Sequence, residues 1–493
     1  MFNNGVPMKF EIKKNTASYF IASILILTAF FCSMQNAVTF LGGEPLTDAS
    51  VFRYMGSIIL RGGMPYRDSF DHKGPLVYLF DALGMKISYW KGMWLIGFLL
   101  LLISAIFLYK TAKLTAGKKA SLLATVSSML VYSAVYQQGG ELVEEDALPF
   151  LAIAGFIFTD YFLNNQISFV RLVICGFCFG SVLFIRPNIV ALWVVMCLAV
   201  LILCLREKDY KALLKYLIGF FAGLLLIVVP IILWLYRGNA FGDFIRDYWT
   251  FNSSYTADSS SVYGKIDTFA RFLLNAVVLL CMCSLLFKWH LKKKTVDLVW
   301  LLTLFLNLIF ISISGKYYLH YGITLVPSLI YPLASICDLG LERMERNSKA
   351  FFLAVWTGLF FPYFVQCGSR IRTRISNADL SEDTKTIVEL VKQNTLPSDQ
   401  VTVFGNNDVI YLASDRQSVS RYSYQSPIGS IDPTIMDSYF EDLETKLPKA
   451  VVVNMELSIS DQDYQRMYSF LDDHSYQDAG EAGGLTVFVL RSE

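Results

Sequence analysis

The chain has 493 residues, of which 54% are apolar and only 17% charged, and its mean hydropathy is +0.46. About a quarter of the residues in a soluble domain are charged, so this composition excludes an ordinary soluble protein, and a net charge of +1 gives no reason to expect a nucleic-acid partner. The nine cysteines lie in or beside apolar runs without a CxxC-plus-CxxC pattern, which suggests neither a zinc ribbon nor a disulfide framework and reads them as apolar fillers.

Crossing a bilayer takes about 20 apolar residues. On that criterion about eleven spans are predicted, at 17–41, 92–110, 121–137, 147–163, 170–186, 188–205, 217–236, 270–288, 297–314, 321–338 and 350–366. The first follows Lys9, Lys13 and Lys14, is too long for a signal-peptide core and lacks a clear small-x-small cleavage site, so it reads as an uncleaved span. The pair flanking Arg186-Pro187-Asn188 reads either as a tight hairpin or as one long broken helix. Basic residues cluster at the N-terminus and at 110–119, 206–215, 288–294 and 343–349, which the positive-inside rule makes cytoplasmic. The segments 42–91, 137–146, 186–188, 237–269 and 315–320 then lie outside.

An odd number of spans also carries the polar C-terminal part outside. There, Asp379–Asn394 has helical spacing, and Val401–Phe404, Ala450–Val453 and Leu485–Leu490 read as strands. The expected architecture is an α-helical polytopic membrane domain over 1–367, with its first external loop at 42–91, and a small extracytoplasmic α/β domain over 368–493. No internal repeat stands out.

Chemistry concentrates on the outer side. The long first loop carries Asp48 a few residues past the first span, where it suits a general base for a hydroxyl nucleophile or, equally, a helix N-cap. It also carries Arg53, His72 and Lys73, the last followed by the turn-forming Gly74-Pro75. A point-charge ammonium beside a turn suits a phosphate, or is an ordinary interfacial lysine. An amphipathic stretch, Val77 to Trp90, suits a helix lying in the interface.

The second outer loop ends in Glu144-Glu145-Asp146, acids that favour a helix N-terminus and can accept sugar hydroxyls. Arg186 sits at the outer end of an apolar run, where an unpaired charge is costly. It either grips a phosphate or snorkels to the headgroups. The segment Gly315-Lys316-Tyr317-Tyr318-Leu319-His320-Tyr321 holds one of only four histidines, as part of a phosphate site or of a tyrosine belt.

Taken in order, several motifs resemble one family. They are Asp48, Pro65-Tyr66-Arg67-Asp68 through Asp71-His72-Lys73-Gly74-Pro75-Leu76, Glu144-Glu145 before Leu148-Pro149, Arg186-Pro187-Asn188, and His320-Tyr321 before Pro327. Val403-Phe404-Gly405-Asn406-Asn407 with Ser420-Arg421-Tyr422 is also similar to bacterial members. The family is that of the dolichyl-phosphate-mannose protein mannosyltransferases and lipid A aminoarabinose transferases, with the GT-C fold.

The resemblance implies a glycosyltransferase in the cell membrane that takes a sugar from a polyprenyl-phosphate donor on the outer face, with inversion, and passes it to a glycan, lipid or protein hydroxyl. It implies Asp48 as catalytic base. Lys73, Arg186, His320 and Tyr321 are the candidates for the donor phosphate, and Glu144, Glu145, His72 and Arg53 for the sugar or acceptor. This chain has Asp48-Ala49 where the family often has Asp-Glu, and Lys73-Gly74-Pro75 where it has a Lys-Pro-Pro-like site. No cofactor is called for, and a divalent cation is compatible with the acids without being indicated by them. Rival readings are a multi-pass transporter or lipid-linked saccharide flippase, a polymerase or ligase using a diphosphate-linked donor, and a scaffold presenting the C-terminal domain.

Overall fold

The computed structural model describes residues 9–253, 261–456 and 458–491. The side chains of Lys9, Lys13 and Lys14, and residues 254–260 of the predicted outer loop 237–269, lie outside the described residues. The chain is a membrane protein built mainly of helices. Each predicted span coincides with a helix, and seven helices are individually long and apolar enough to cross a bilayer among the described residues: Thr16–Ser33, Gly92–Lys113, Val143–Asn164, Tyr210–Arg237, Thr295–Ser312, Leu319–Arg343 and Arg346–Ser376. Val262–Leu273 and Ala276–Lys292 pass the same test only as a pair, and they are bent by 81° at the break between them. Phe169–Leu183, Ala191–Glu207 and Lys118–Val131 are shorter, so eleven is a count of helices rather than of full-length spans.

The first helix ends at Ser33, not at Leu41 as the apolar run suggested. Buried polar groups stop it. Asn36 Oδ1 accepts from Gln137 Nε2 at 2.6 Å, and Gln35 pairs with Ser133, so the chain turns aside to satisfy both. The last helix runs to Ser376, past the predicted end at 366, and carries the chain up to the C-terminal sheet.

The segment 184–190 is neither a tight hairpin nor a broken helix. Phe169–Leu183 packs on Tyr210–Arg237, whereas Ala191–Glu207 turns away onto Thr295–Ser312. The first pair is held by facing GxxxG stretches, Gly176 with Gly180 and Gly219 with Gly223. A Cβ on Gly176 would stand 1.8 Å from Phe220 O, so only glycine permits this approach.

Two short helices, Thr47–Leu60 and Pro75–Ile87, fill the first loop and pack on one another. The second presents Leu83 and Ile87 outward while burying Leu76, Val77 and Met85, as an interfacial helix does. Beneath them Arg53 is buried and fully engaged. Its Nε and Nη2 donate to Glu141 at 2.6 and 2.5 Å and its Nη1 to Trp90 O at 2.8 Å. A buried bidentate pair left half-neutral loses a charge-assisted bond. Glu141→Gln therefore lowers stability by about 2 kcal/mol, read as a drop in thermal midpoint in detergent. An unchanged midpoint would show that the pair is not stabilising.

The C-terminal sheet has strands β1 (Gln400–Phe404), β2 (Gln417–Ser418), β3 (Ala450–Asn454), β4 (Tyr476–Ala482) and β5 (Leu485–Leu490) in the order β2-β1-β3-β5-β4. β1 is parallel to both β2 and β3, and β5 is antiparallel to β3 and β4. The sheet unit docks on the first loop. Phe70 N donates to Arg421 O at 2.7 Å, Tyr54 OH accepts from Ser418 N at 2.8 Å, and Arg421 pairs with Asp247. Three of the basic segments, 110–119, 288–294 and 343–349, meet at one end of Leu319–Arg343: Gly117 N donates to Asp338 at 3.0 Å, Arg343 pairs with Asp338 at 2.9 Å, and Lys288 donates to Ser335 at 2.8 Å.

Candidate active site

Two adjoining cavities lie where the first loop, the helix ends and the sheet unit meet. The first, about 240 Å³, is bordered by Asp48, His72, Lys73, Glu144, Arg186, His320 and Tyr321, and capped by Asn406, Tyr424 and Pro427–Ile431 of the C-terminal part. The second, about 470 Å³, is bordered by Ile185, Tyr248, Trp249, Phe310 and Ile313 and by the polar Asn188, Asn252, Ser253 and Ser314. His72, Lys73, Arg186 and Tyr321 border both, so they form the wall between them. Asp48 and Glu144 border only the first.

Local sequence explains the convergence. Asp48 stands in the first turn of Thr47–Leu60, and Leu46 rather than Asp48 occupies the N-cap. The Asp48 carboxylate is exposed to the cavity and makes no hydrogen bond or ion pair among the described residues. Lys73 is set by its backbone, whose carbonyl accepts from Tyr66 OH at 2.7 Å and Tyr78 OH at 3.0 Å. Asp71 beside it accepts from Tyr78 at 2.8 Å and Tyr424 at 2.9 Å. Gly74 N then donates to Ile185 O at 3.1 Å and Leu76 N to Phe184 O at 3.0 Å, zipping this loop to the turn that carries Arg186. A Cβ on Gly74 would lie 2.0 Å from Phe184 O, so glycine at this position is what lets Lys73 stand next to Arg186.

Arg186 pairs with Glu144 and lies over the Tyr321 ring, 4.1 Å from its centroid. His320 donates Nδ1–H to Gln138 Oε1 at 2.8 Å and sits edge-on to Tyr321 at 4.9 Å. It stands in the combined field of Glu144, Arg186, Asp48 and Lys73. Of the predicted site residues, Arg53 and Glu145 border neither cavity. Arg53 is taken by Glu141, as above. Glu145 accepts from Tyr132 OH at 2.7 Å and from the Leu142 amide at its own helix N-terminus. Lys316 also borders neither. Sequence reasoning missed Asp71, Tyr424, Asn406 and Trp249. Asn406 lay within a quoted motif, but nothing local tied it to the membrane end. Among the described residues no three His, Cys, Asp or Glu side chains are grouped to hold a metal.

The Lys73 ammonium donates to His72 Nε2 at 2.5 Å, which requires a neutral imidazole. Burial first, then the charges of Lys73 and Arg186, push the His72 pKa well below its usual 6.5. The unfolded chain therefore takes up a proton at His72 near pH 6.5 that the folded chain refuses. Stability is full above that pH and falls as pH drops, by at most about 1.4 kcal/mol per unit from this group. The thermal midpoint of the parent falls more between about pH 7 and pH 5 than that of His72→Gln. Equal falls would remove His72 from the account.

Comparison with solved structures gives the fold. ArnT from Cupriavidus metallidurans, in a crystal structure bound to undecaprenyl phosphate, superposes with a TM-score of 0.65 at 12% identity, covering 97% of this chain and 98% of that one. Its apo form gives 0.63 at the same identity and coverage. The archaeal oligosaccharyltransferase AglB from Archaeoglobus fulgidus, in complex with an inhibitory peptide and a dolichol-phosphate, gives 0.53 at 14% identity, covering 94% of this chain and 73% of that one. The fold is GT-C. A search of curated protein sequences finds no match. The family model described as "Putative competence-induced protein Ccs4 N-terminal domain" matches residues 9–364, and the chain belongs to that family.

Proposed function

We propose that the protein transfers a sugar from a polyprenyl-phosphate donor to a hydroxyl acceptor at the outer face of the cell membrane, with inversion and without a required cofactor. The observation that carries this reading is the shared wall of the two cavities: Lys73 and Arg186 stand between a chamber of mixed polar and aromatic lining and one that holds the Asp48 carboxylate, which makes no hydrogen bond or ion pair among the described residues. The lipid-side chamber takes the start of the polyprenyl chain, and the donor phosphate lies against Lys73, Arg186 and Tyr321, with His320 nearby. The sugar projects into the chamber of Asp48, which Glu144, paired with Arg186, and His72, in contact with Lys73, also border.

The acceptor O–H attacks the anomeric carbon while the bond from that carbon to the phosphate oxygen breaks. The bonding pair leaves with the phosphate, and Asp48 takes the acceptor proton. Negative charge grows on the departing phosphate, where fixed cations stabilise the transition state more than the ground state. ArnT and AglB, solved with lipid phosphates, support a lipid-linked donor for the shared fold. A transporter is less well supported, because the site's charges collect at one end of the bundle rather than midway along broken spans. The test is a membrane assay with a panel of radiolabelled polyprenyl-phosphate sugars and mass analysis of the product. Turnover of none, or translocation without transfer, rejects the proposal.

A further inference from the structure

A third cavity, about 920 Å³, lies outside the two described. It is formed by the first loop (Leu46, Thr47, Ser50), by the segment 374–385 that leads into the sheet unit, and by Asn406 and Asn407 after β1 with Asn454 at the end of β3 and Glu456 after it. In the order β2-β1-β3 the chain leaves β1 for one side and returns to the other, so the carboxyl ends of β1 and β3 frame a topological switch point. Open parallel sheets bind ligands at such points. Here that crevice faces the residues flanking Asp48, and Asn406 borders both it and the chamber of Asp48. The Asn406 Oδ1 is buried without a hydrogen-bond partner among the described residues, and it would accept from a ligand once the side chain turns toward the crevice.

The chemistry of the walls narrows the ligand. Carboxylates outnumber cations: Glu44, Asp379, Glu382 and Glu456 against Arg374 and Lys385. Lys385 is paired with Asp379 at 2.8 Å and Glu382 at 2.9 Å, Glu44 accepts from Ser381 N and Thr384 Oγ1 at 2.7 Å each, and Glu456 Oε1 accepts from Asn406 N at 2.7 Å and Asn454 Nδ2 at 2.8 Å, so the acids offer a ligand their remaining lone pairs. An anionic polymer meets like charge, and a lipid tail finds few apolar partners. Carboxylates and amides are what sugar hydroxyls need. We infer that the crevice at the ends of β1 and β3 binds a hydroxyl-rich, non-anionic saccharide, which is the acceptor, and delivers its end to Asp48; the acceptor role rests on the function proposed above.

Asn407 permits a clean test, because its side chain makes no hydrogen bond among the described residues and its loss removes no internal bond. The full chain in lipid nanodiscs is titrated with two uncharged hexasaccharides, maltohexaose and chitohexaose, and with sulfated maltohexaose, by saturation-transfer NMR. Saturable binding of an uncharged probe is expected below about 10 mM. Asn407→Ala weakens it about fivefold, and Asn407→Trp, which pushes an indole into the wall where the saccharide lies, weakens it further. Binding that ignores both substitutions, preference for the sulfated probe, or no binding of either uncharged probe overturns the inference. If Asn407→Trp does not fold, Asn407→Ala decides alone. Binding as expected without turnover of any polyprenyl-phosphate sugar keeps the crevice and rejects the transferase. Transfer with binding indifferent to Asn407 does the reverse.

Discussion

Asp48→Asn lowers kcat for sugar transfer by about 10²–10⁴-fold, the range a positioned general base contributes, and leaves the KM for the donor within a few-fold. The asparagine keeps the shape of the side chain and loses only the proton acceptor. Its structural cost is small for a stated reason. Asp48 makes no ion pair or hydrogen bond among the described residues, and Leu46, not Asp48, occupies the N-cap position. What remains is the favourable placement of a negative charge in a first helical turn, worth about 0.3–1 kcal/mol. A loss of two or more decades in kcat with a nearly unchanged thermal midpoint therefore separates chemistry from folding. Activity within threefold of the parent removes Asp48 from the mechanism. A raised donor KM at unchanged kcat assigns it to binding instead.

Much of this arrangement is legible in the amino-acid sequence. The apolar runs marked the helices, and Asp48, Lys73, Glu144, Arg186, His320 and Tyr321 do come to one cavity. They could be read because each is polar at the edge of an apolar run, where desolvation makes a charge conspicuous. Arg53 and Glu145 carried the same signal for another reason: each is satisfied inside the scaffold, and sequence does not distinguish a paired charge from an available one. The end of the first helix escaped because Gln35 and Asn36 are stopped by partners about a hundred residues away. β4 escaped because Tyr476–Ala482 is polar, although the following Gly483-Gly484, both at positive φ, was a hairpin signal at hand. The union of Asn406 with Asp48 is long-range, and no spacing in the chain encodes it.

Arg186 should behave differently from Asp48, because it is tied to the fold as well as to the proposed phosphate. Arg186→Ala leaves Glu144, only 3% exposed, without its cation, and breaking one side of a buried pair costs about 3–5 kcal/mol of stability. Lost activity in that variant alone would thus prove little. The double variant Arg186→Gln, Glu144→Gln removes both charges together and should recover most of the thermal midpoint, since a neutral hydrogen-bonding pair leaves no orphaned charge. Its kcat should stay down by about 10²–10³-fold, the usual loss when one fixed donor to a developing anion is removed. Lys73→Ala should lose activity without a comparable fall in midpoint, because Lys73 has no carboxylate to strand and its loop is held by backbone bonds from Tyr66 and Tyr78. Recovery of both stability and transfer in the double variant would make Arg186 a structural partner of Glu144. The phosphate would then rest on Lys73 and its neighbours alone.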